Sequence, residues 1–265
     1  MVLRCLNQQQ PSCSIKVKTK EQRTINTVMI QTIRSLLFAS YYTLTTTIFS
    51  LLGLILAWVL PFRWLFNLLG AWNHSVIQGV RFICGINYRI VGQEHIPKHG
   101  AYVVLANHQS PWETFFLMVL FKQPISIVCK KELLLIPGFG WCLAMLKPIT
   151  INRSNPKDAL RKIQAVGKHR LTQDHMPVLI FPEGTRVNPN ETKPYARSGA
   201  ELALNAQVPV IFVSHNAGKY WPSEGLIKKP GTITMHISPM YHPTANDTSK
   251  TLTLKAKTWI TSQSL

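Results

Sequence analysis

The chain has 265 residues, and its 29 Lys and Arg against 11 Asp and Glu give a formal charge of +18. With 46% hydrophobic residues it can bury one medium-sized core, which excludes a disordered basic tail. Five cysteines (Cys5, Cys13, Cys84, Cys129 and Cys142) without a C-x-x-C pair exclude a zinc finger or disulfide framework and fit a reducing, cytosol-facing compartment.

Residues 1–34 are polar and basic, with Arg4, Lys16, Lys18, Lys20, Arg23 and Arg34 against Glu21. They are expected to form a loose arm, either touching anionic lipid headgroups or simply solvated. From Ser35 to Phe62 no residue is charged. As a helix that run reaches roughly 42 Å, beyond the roughly 30 Å core of a bilayer. It is too long for a signal-peptide core, and no small-x-small cleavage site comes after it. Beyond Pro61, the residues Leu65, Leu69, Trp72, Val76, Val80 and Ile83 mark one face of a helix, and Asn67, His74, Gln78 and Arg81 the other. That helix is expected in the membrane interface or docked on the downstream domain. Because both flanks are basic, a hairpin turning near Pro61 keeps both on the cytoplasmic side. Residues 35–87 thus read as a membrane-embedded or interfacial two-helix segment.

Residues 88–265 read as an α/β domain. Strand-like runs fall at 101–107, 124–130, 147–153, 177–183, 209–215 and 232–238, with helix-like runs at 111–122, 156–173 and 195–206. Short apolar runs separated by helices predict a mixed, largely parallel sheet covered by helices on both faces. In such sheets, sites gather where strands end and helices begin.

Four motifs sit at those junctions. In NHQSPWETFF (107–116), Ser110, Pro111 and Glu113 match the N-cap, N1 and N3 positions of a capping box. The same turn can bring the Glu113 carboxylate to His108, fixing the tautomer and making the imidazole a general base. FPEGTR (181–186) offers backbone N–H groups, a hydroxyl and a guanidinium to one anion. KPITINR ends on Arg153, and CKKEL carries Lys130 and Lys131. Cations at three strand ends, beside a His–acid pair at a fourth, suggest a phosphate-bearing substrate whose hydroxyl is deprotonated. Other positions have plainer readings: His215 as a structural histidine, Cys129 as a small buried residue, Trp141, Leu143 and Met145 as packing or the lining of a groove, and Lys193 and Tyr195 as solvent-facing or phosphate-facing.

Taken in order, NHQSPWET, KPITINR, FPEGTR and VPVIF resemble the blocks of the 1-acylglycerol-3-phosphate acyltransferase family over roughly residues 85–240. The first block there usually carries Asp where this chain has Glu113, and the second usually ends Asp-Arg where this chain has Asn152-Arg153.

The resemblance implies acyl transfer from an acyl-CoA or acyl carrier protein thioester to the free hydroxyl of lysophosphatidic acid, giving phosphatidic acid. It implies His108 and Glu113 as the catalytic pair, and Arg153, Glu183, Gly184, Thr185, Arg186 and Lys130 around the acceptor phosphate. The thioester is a co-substrate, and no cofactor or metal is expected. Anionic lipids are the expected surroundings at the cytoplasmic face of a membrane. Nucleic acid is not an expected partner, since no zinc finger, Walker loop or RNP-like block occurs. A serine hydrolase is disfavoured by the lack of a G-x-S-x-G elbow. Two rivals stay open: the same chemistry on glycerol 3-phosphate or another lysophospholipid, and a basic membrane-surface protein without catalysis.

Overall fold

A computed structural model of the chain describes residues 11–189 and 191–263. Its centre is a seven-stranded sheet: β1 (Ile86–Val91), β2 (Val103–Ala106), β3 (Ser126–Lys130), β4 (Ile149–Ile151), β5 (Val178–Ile180), β6 (Val210–His215) and β7 (Gly231–Ile237). The spatial order is β1-β7-β6-β2-β5-β3-β4, and every pairing is parallel except β6 with β7. The mixed, largely parallel sheet expected from the sequence is thus present. The inner strands VVLA and VLI are buried at every position, as a sheet covered on both faces requires.

Successive strand residues feed two different cores. Val104, Ala106, Leu179 and Ile211 join the core under α2 (Phe62–Cys84) and α3 (Trp112–Leu120). Val103, Leu105, Ile180 and Val210 join the opposite core, under α5 (Pro156–Thr172), α6 (Ser198–Ala206) and α7 (Ser249–Ser262). Each strand therefore carries its site-bearing end rigidly between two packed layers. Helix α5 starts where the sequence places it: Asn155 Oδ1 accepts from the Asp158 N–H at 3.1 Å, with Pro156 in the first turn.

Upstream, α1 (Pro11–Leu56) and α2 form the expected antiparallel hairpin, turning through residues 57–61. Tyr41 donates to the Ser75 carbonyl at 3.2 Å, and the Tyr41 ring fills the space that a side chain at Gly79 would need. A glycine is required there for the helices to approach. The stretch Gln22–Leu56 is long and apolar enough to cross a membrane, and only 11% of its most apolar window is buried. Helix α2 docks on the domain instead: Val76, Ile77 and Val80 are at most 2% exposed. Burying each such side chain contributes about 1.5–3 kcal/mol.

The structure departs from expectation in two respects. The loose arm of residues 1–34 is helical from Pro11 onward, continuous with the apolar run, because no Gly or Pro interrupts residues 12–52. Arg4 and Cys5 lie outside the described residues, and for Cys13, Lys16, Lys18, Lys20 and Glu21 only the helical backbone is described. Three further elements escape the sequence pattern: β1, α4 (Phe139–Met145) and α7. In α7 the run TLTLK alternates like a strand, yet Leu252, Ala256 and Ile260, spaced by four, bury one helical face. Tertiary packing overrides local preference there.

Candidate active site

The C-terminal ends of β2, β3, β4 and β5 converge on one cavity of about 1040 Å³. His108, Lys130, Arg153, Gly184, Thr185 and Arg186 all line it. Its far wall is α1, through Tyr42, Thr43, Thr46, Thr47, Ser50, Leu51 and Leu54, and Trp221 and Glu224 also contribute. Glu113 and Glu183 are not in the lining: both carboxylates sit behind His108.

His108 follows the end of β2, where Asn107 locks the strand end to β6. Asn107 Nδ2 donates to the His215 carbonyl at 2.9 Å, and the His215 N–H donates to Asn107 Oδ1 at 3.0 Å. His215 Nε2 lies 2.8 Å from the Asn107 carbonyl, and its Nδ1 accepts from the Ala217 N–H at 3.3 Å. With both nitrogens bonded to backbone groups, His215 ties the ends of β2 and β6 together; burial lowers its pKa, and the Glu113 carboxylate and the Asn107 carbonyl oppose that.

Glu113 Oε1 collects three hydrogen bonds. The N–H groups of Gln109 and Ser110 donate at 2.9 and 2.8 Å, and His108 Nδ1 lies 2.8 Å away. Ser110 Oγ accepts from the Trp112 N–H at 3.1 Å, so the turn is both a helix cap and a carboxylate–imidazole pair. Burial works against a charge on the fully enclosed Glu113. Nearby His215, the His108 bond and the backbone donors outweigh it, and the carboxyl is held below its ordinary range. An ionised carboxylate at Nδ1 makes that nitrogen the donor and leaves the Nε2 lone pair free.

The 181–187 turn grips His108 from the other side. Its N–H donates to Glu183 Oε2 at 2.5 Å, and its carbonyl accepts from the Val187 N–H at 2.8 Å. The Phe181 ring stacks on the imidazole, centroids 4.1 Å apart and planes 14° from parallel. The turn closes through the Gly184 N–H to the Phe181 carbonyl at 3.0 Å, with Pro182 at its second position and Gly184 at φ +70°. Burial pushes the Glu183 carboxyl up to about 7, with Glu113 adding repulsion, while bonds from the His108 N–H and the Tyr195 side chain oppose the rise. Of the residues grouped around the phosphate, Glu183 is therefore the one directed at the histidine backbone.

Arg153 and Arg186 share the cavity, and among the described residues no acid is bonded to either guanidinium. Burial, then the positive charge of Arg186, lower the Arg153 pKa, while Cys129 and Glu132 pull the other way. Lys130 is half-exposed and 3.9 Å from Glu132. Where the family pattern carries Asp, Asn152 Oδ1 accepts from the Ser154 N–H at 3.1 Å and from Ser154 Oγ at 2.7 Å, shaping the loop before α5. Cys129 is buried, and burial pushes its thiol up to about 11 against the pull of Arg153, so it is not an activated nucleophile. Trp141 lines the large cavity and Leu143 a smaller apolar one beside it; Met145 lines neither. No group of three or more His, Cys, Asp or Glu that could hold a metal exists among the described residues.

The sequence pattern does not mark Asn107, Phe181 or Tyr195 as supports of His108. Phe181 reads as one more apolar residue of a strand, and only the fold reveals which ring it faces.

Several known proteins are similar to this chain. The acyltransferase family model matches residues 87–216, a span that holds every residue of the site except those of α1 and residues 221–224. A 1-acyl-sn-glycerol-3-phosphate acyltransferase of Pseudomonas aeruginosa is 43% identical over 80% of this chain and 82% of its own length. Its namesake from Limnanthes douglasii is 32% identical over 71% of this chain and 66% of its own length. The crystal structure of the 1-acyl-sn-glycerophosphate acyltransferase from Thermotoga maritima superposes with a TM-score of 0.72 at 21% identity, covering 87% of this chain and 94% of that one.

Proposed function

Because this chain belongs to the acyltransferase family, we propose that it acylates the free hydroxyl of 1-acyl-glycerol 3-phosphate, drawing the acyl group from an acyl-CoA or acyl carrier protein thioester and giving phosphatidic acid. His108 Nε2 takes the proton from the acceptor hydroxyl as that oxygen attacks the thioester carbonyl. The C–S bond then breaks, and the departing thiolate takes the proton back from the imidazolium. Glu113 holds the ring and offsets its transient charge; such base catalysis contributes typically about 10²–10⁴ in rate. Arg153 and Arg186 hold the acceptor phosphate, with Lys130 at the rim and Gly184 and Thr185 shaping the turn. Glu183 acts one step back, on the His108 backbone.

The observation that carries this reading is the 2.8 Å His108–Glu113 pair at the wall of a cavity that also holds two guanidinium groups to which no acid is bonded among the described residues. The relatives named for 1-acyl-sn-glycerol-3-phosphate support the choice of acceptor. Membrane attachment through the α1–α2 hairpin, at the cytoplasmic face and among anionic lipids, suits an acceptor that is itself a lipid.

The test is acyl transfer by the purified full-length chain to lysophosphatidic acid, glycerol 3-phosphate and lysophosphatidylcholine, with each thioester donor. Preferred turnover of lysophosphatidic acid, abolished by His108→Ala, supports the reading. Preference for glycerol 3-phosphate or lysophosphatidylcholine reassigns the acceptor, and undiminished turnover by His108→Ala refutes the mechanism.

A further inference from the structure

A separate cleft of about 330 Å³ is lined by Arg63, Phe66, Asn67, His99, Lys122, Gln123 and Pro124. His99 precedes β2 and residues 122–124 precede β3, so the cleft lies at the sheet edge opposite the strand ends that carry His108 and Lys130. The two cavities share no lining residue. The side chains of Arg63, His99 and Lys122 make no hydrogen bond or ion pair with another described residue, and no acid lines the cleft. All three residues are exposed at the cleft, so the two fixed cations, Arg63 and Lys122, face an anion arriving from outside. Arg63 supplies a planar fork suited to two phosphate oxygens and Lys122 a point charge.

The surroundings indicate where that anion comes from. Arg63 stands in the first turn of α2, just past the hairpin tip, where Trp58, Val59 and Trp64 are 92%, 78% and 65% exposed. Bare tryptophans of this kind favour the headgroup level of a bilayer. The cleft volume admits a headgroup while the chains stay outside.

We propose that this cleft is a phosphate site, distinct from the reaction cavity, that takes the headgroup of an anionic membrane phospholipid between Arg63 and Lys122. It rests on the reading that the hairpin sits at a membrane. The site lets the protein grip a bystander lipid with one edge of the sheet while the other edge works on the substrate.

Native mass spectrometry of the full-length chain in neutral detergent, with phosphatidylglycerol or phosphatidylcholine added, tests the site. Wild type is expected to retain phosphatidylglycerol in preference to phosphatidylcholine. Arg63→Gln with Lys122→Gln weakens that retention roughly 20–30-fold, near fivefold per cation. Lys168→Gln with Lys250→Gln removes the same charge from elsewhere on the surface and leaves retention unchanged. Equal retention by wild type and the cleft variant, or an equal loss in the control variant, overturns the proposal. Displacement of phosphatidylglycerol by millimolar inorganic phosphate assigns the cleft to free phosphate and overturns the lipid source. Vesicle flotation of wild type separates the underlying reading: failure to float on phosphatidylglycerol vesicles refutes membrane attachment, whereas a cleft variant that floats but has lost no lipid preference refutes only the cleft.

Discussion

The Phe181 ring lies flat against the His108 imidazole, 4.1 Å between centroids and 14° from parallel. A neutral imidazole gains little from this beyond packing. In the proposed reaction His108 becomes an imidazolium, which gains the attraction of a cation for an aromatic face, about 0.5–2 kcal/mol. Phe181→Leu should therefore lower kcat/KM by roughly 3- to 30-fold and move the acid limb of its pH profile to lower pH, while Phe181→Trp keeps both near wild type. An activity loss with an unmoved limb would reduce Phe181 to packing.

Glu113 offers a second check. Glu113→Gln keeps the shape and an acceptor oxygen but removes the charge that, in the proposed mechanism, stabilises the imidazolium. Turnover should fall by about 10²–10⁴, with the melting temperature changed little. Glu113→Ala strands the N–H groups of Gln109 and Ser110 in a buried turn, which costs about 1–3 kcal/mol for each unsatisfied group and should lower the melting temperature as well.

At the phosphate end, Arg186→Ala should raise KM for the phosphate-bearing acceptor by roughly 10- to 150-fold, the scale of a lost charged hydrogen bond of about 1.5–3 kcal/mol. KM for the thioester should hold. Arg186→Lys recovers only part of the loss, because an ammonium cannot form the two-pronged contact. Steady-state kinetics with each substrate varied separately distinguish these outcomes.

Glu183 makes stability depend on pH. Its carboxyl rises from an ordinary 4.5 to about 7 when folded, chiefly through burial. Between those values the folded chain keeps a proton that the unfolded chain has released, so stability falls as pH rises through the window. The loss is of order 3 kcal/mol when complete. Glu183→Gln cannot titrate and still accepts from the His108 N–H. Its melting temperature should match wild type near pH 4.5 and exceed it near pH 8. Thermal unfolding across that range would expose a wild-type slope that the variant lacks.

Much of this fold and site is legible in the sequence, for physical reasons. Strands buried on both faces leave unbroken apolar runs, so β2, β5 and β6 are visible as VVLA, VLI and VIFVSH. The His108–Glu113 pair is local, five residues apart, and its capping chemistry is written in the sequence. What the sequence hides is long-range. The reciprocal bonds between Asn107 and His215 span 108 positions, and the grip of Glu183 on the His108 N–H spans 75. Helix α7 is hidden for another reason: threonine-rich alternation imitates a strand until packing chooses the helix.

Helix α1 supplies one whole side of the chamber, from Tyr42 to Leu54. Trimming that greasy stretch to make the enzyme easier to handle would unroof the vessel proposed for its reaction. The same helix that is long and apolar enough to cross a membrane is thus also masonry of the chamber, and neither part can be cut away alone.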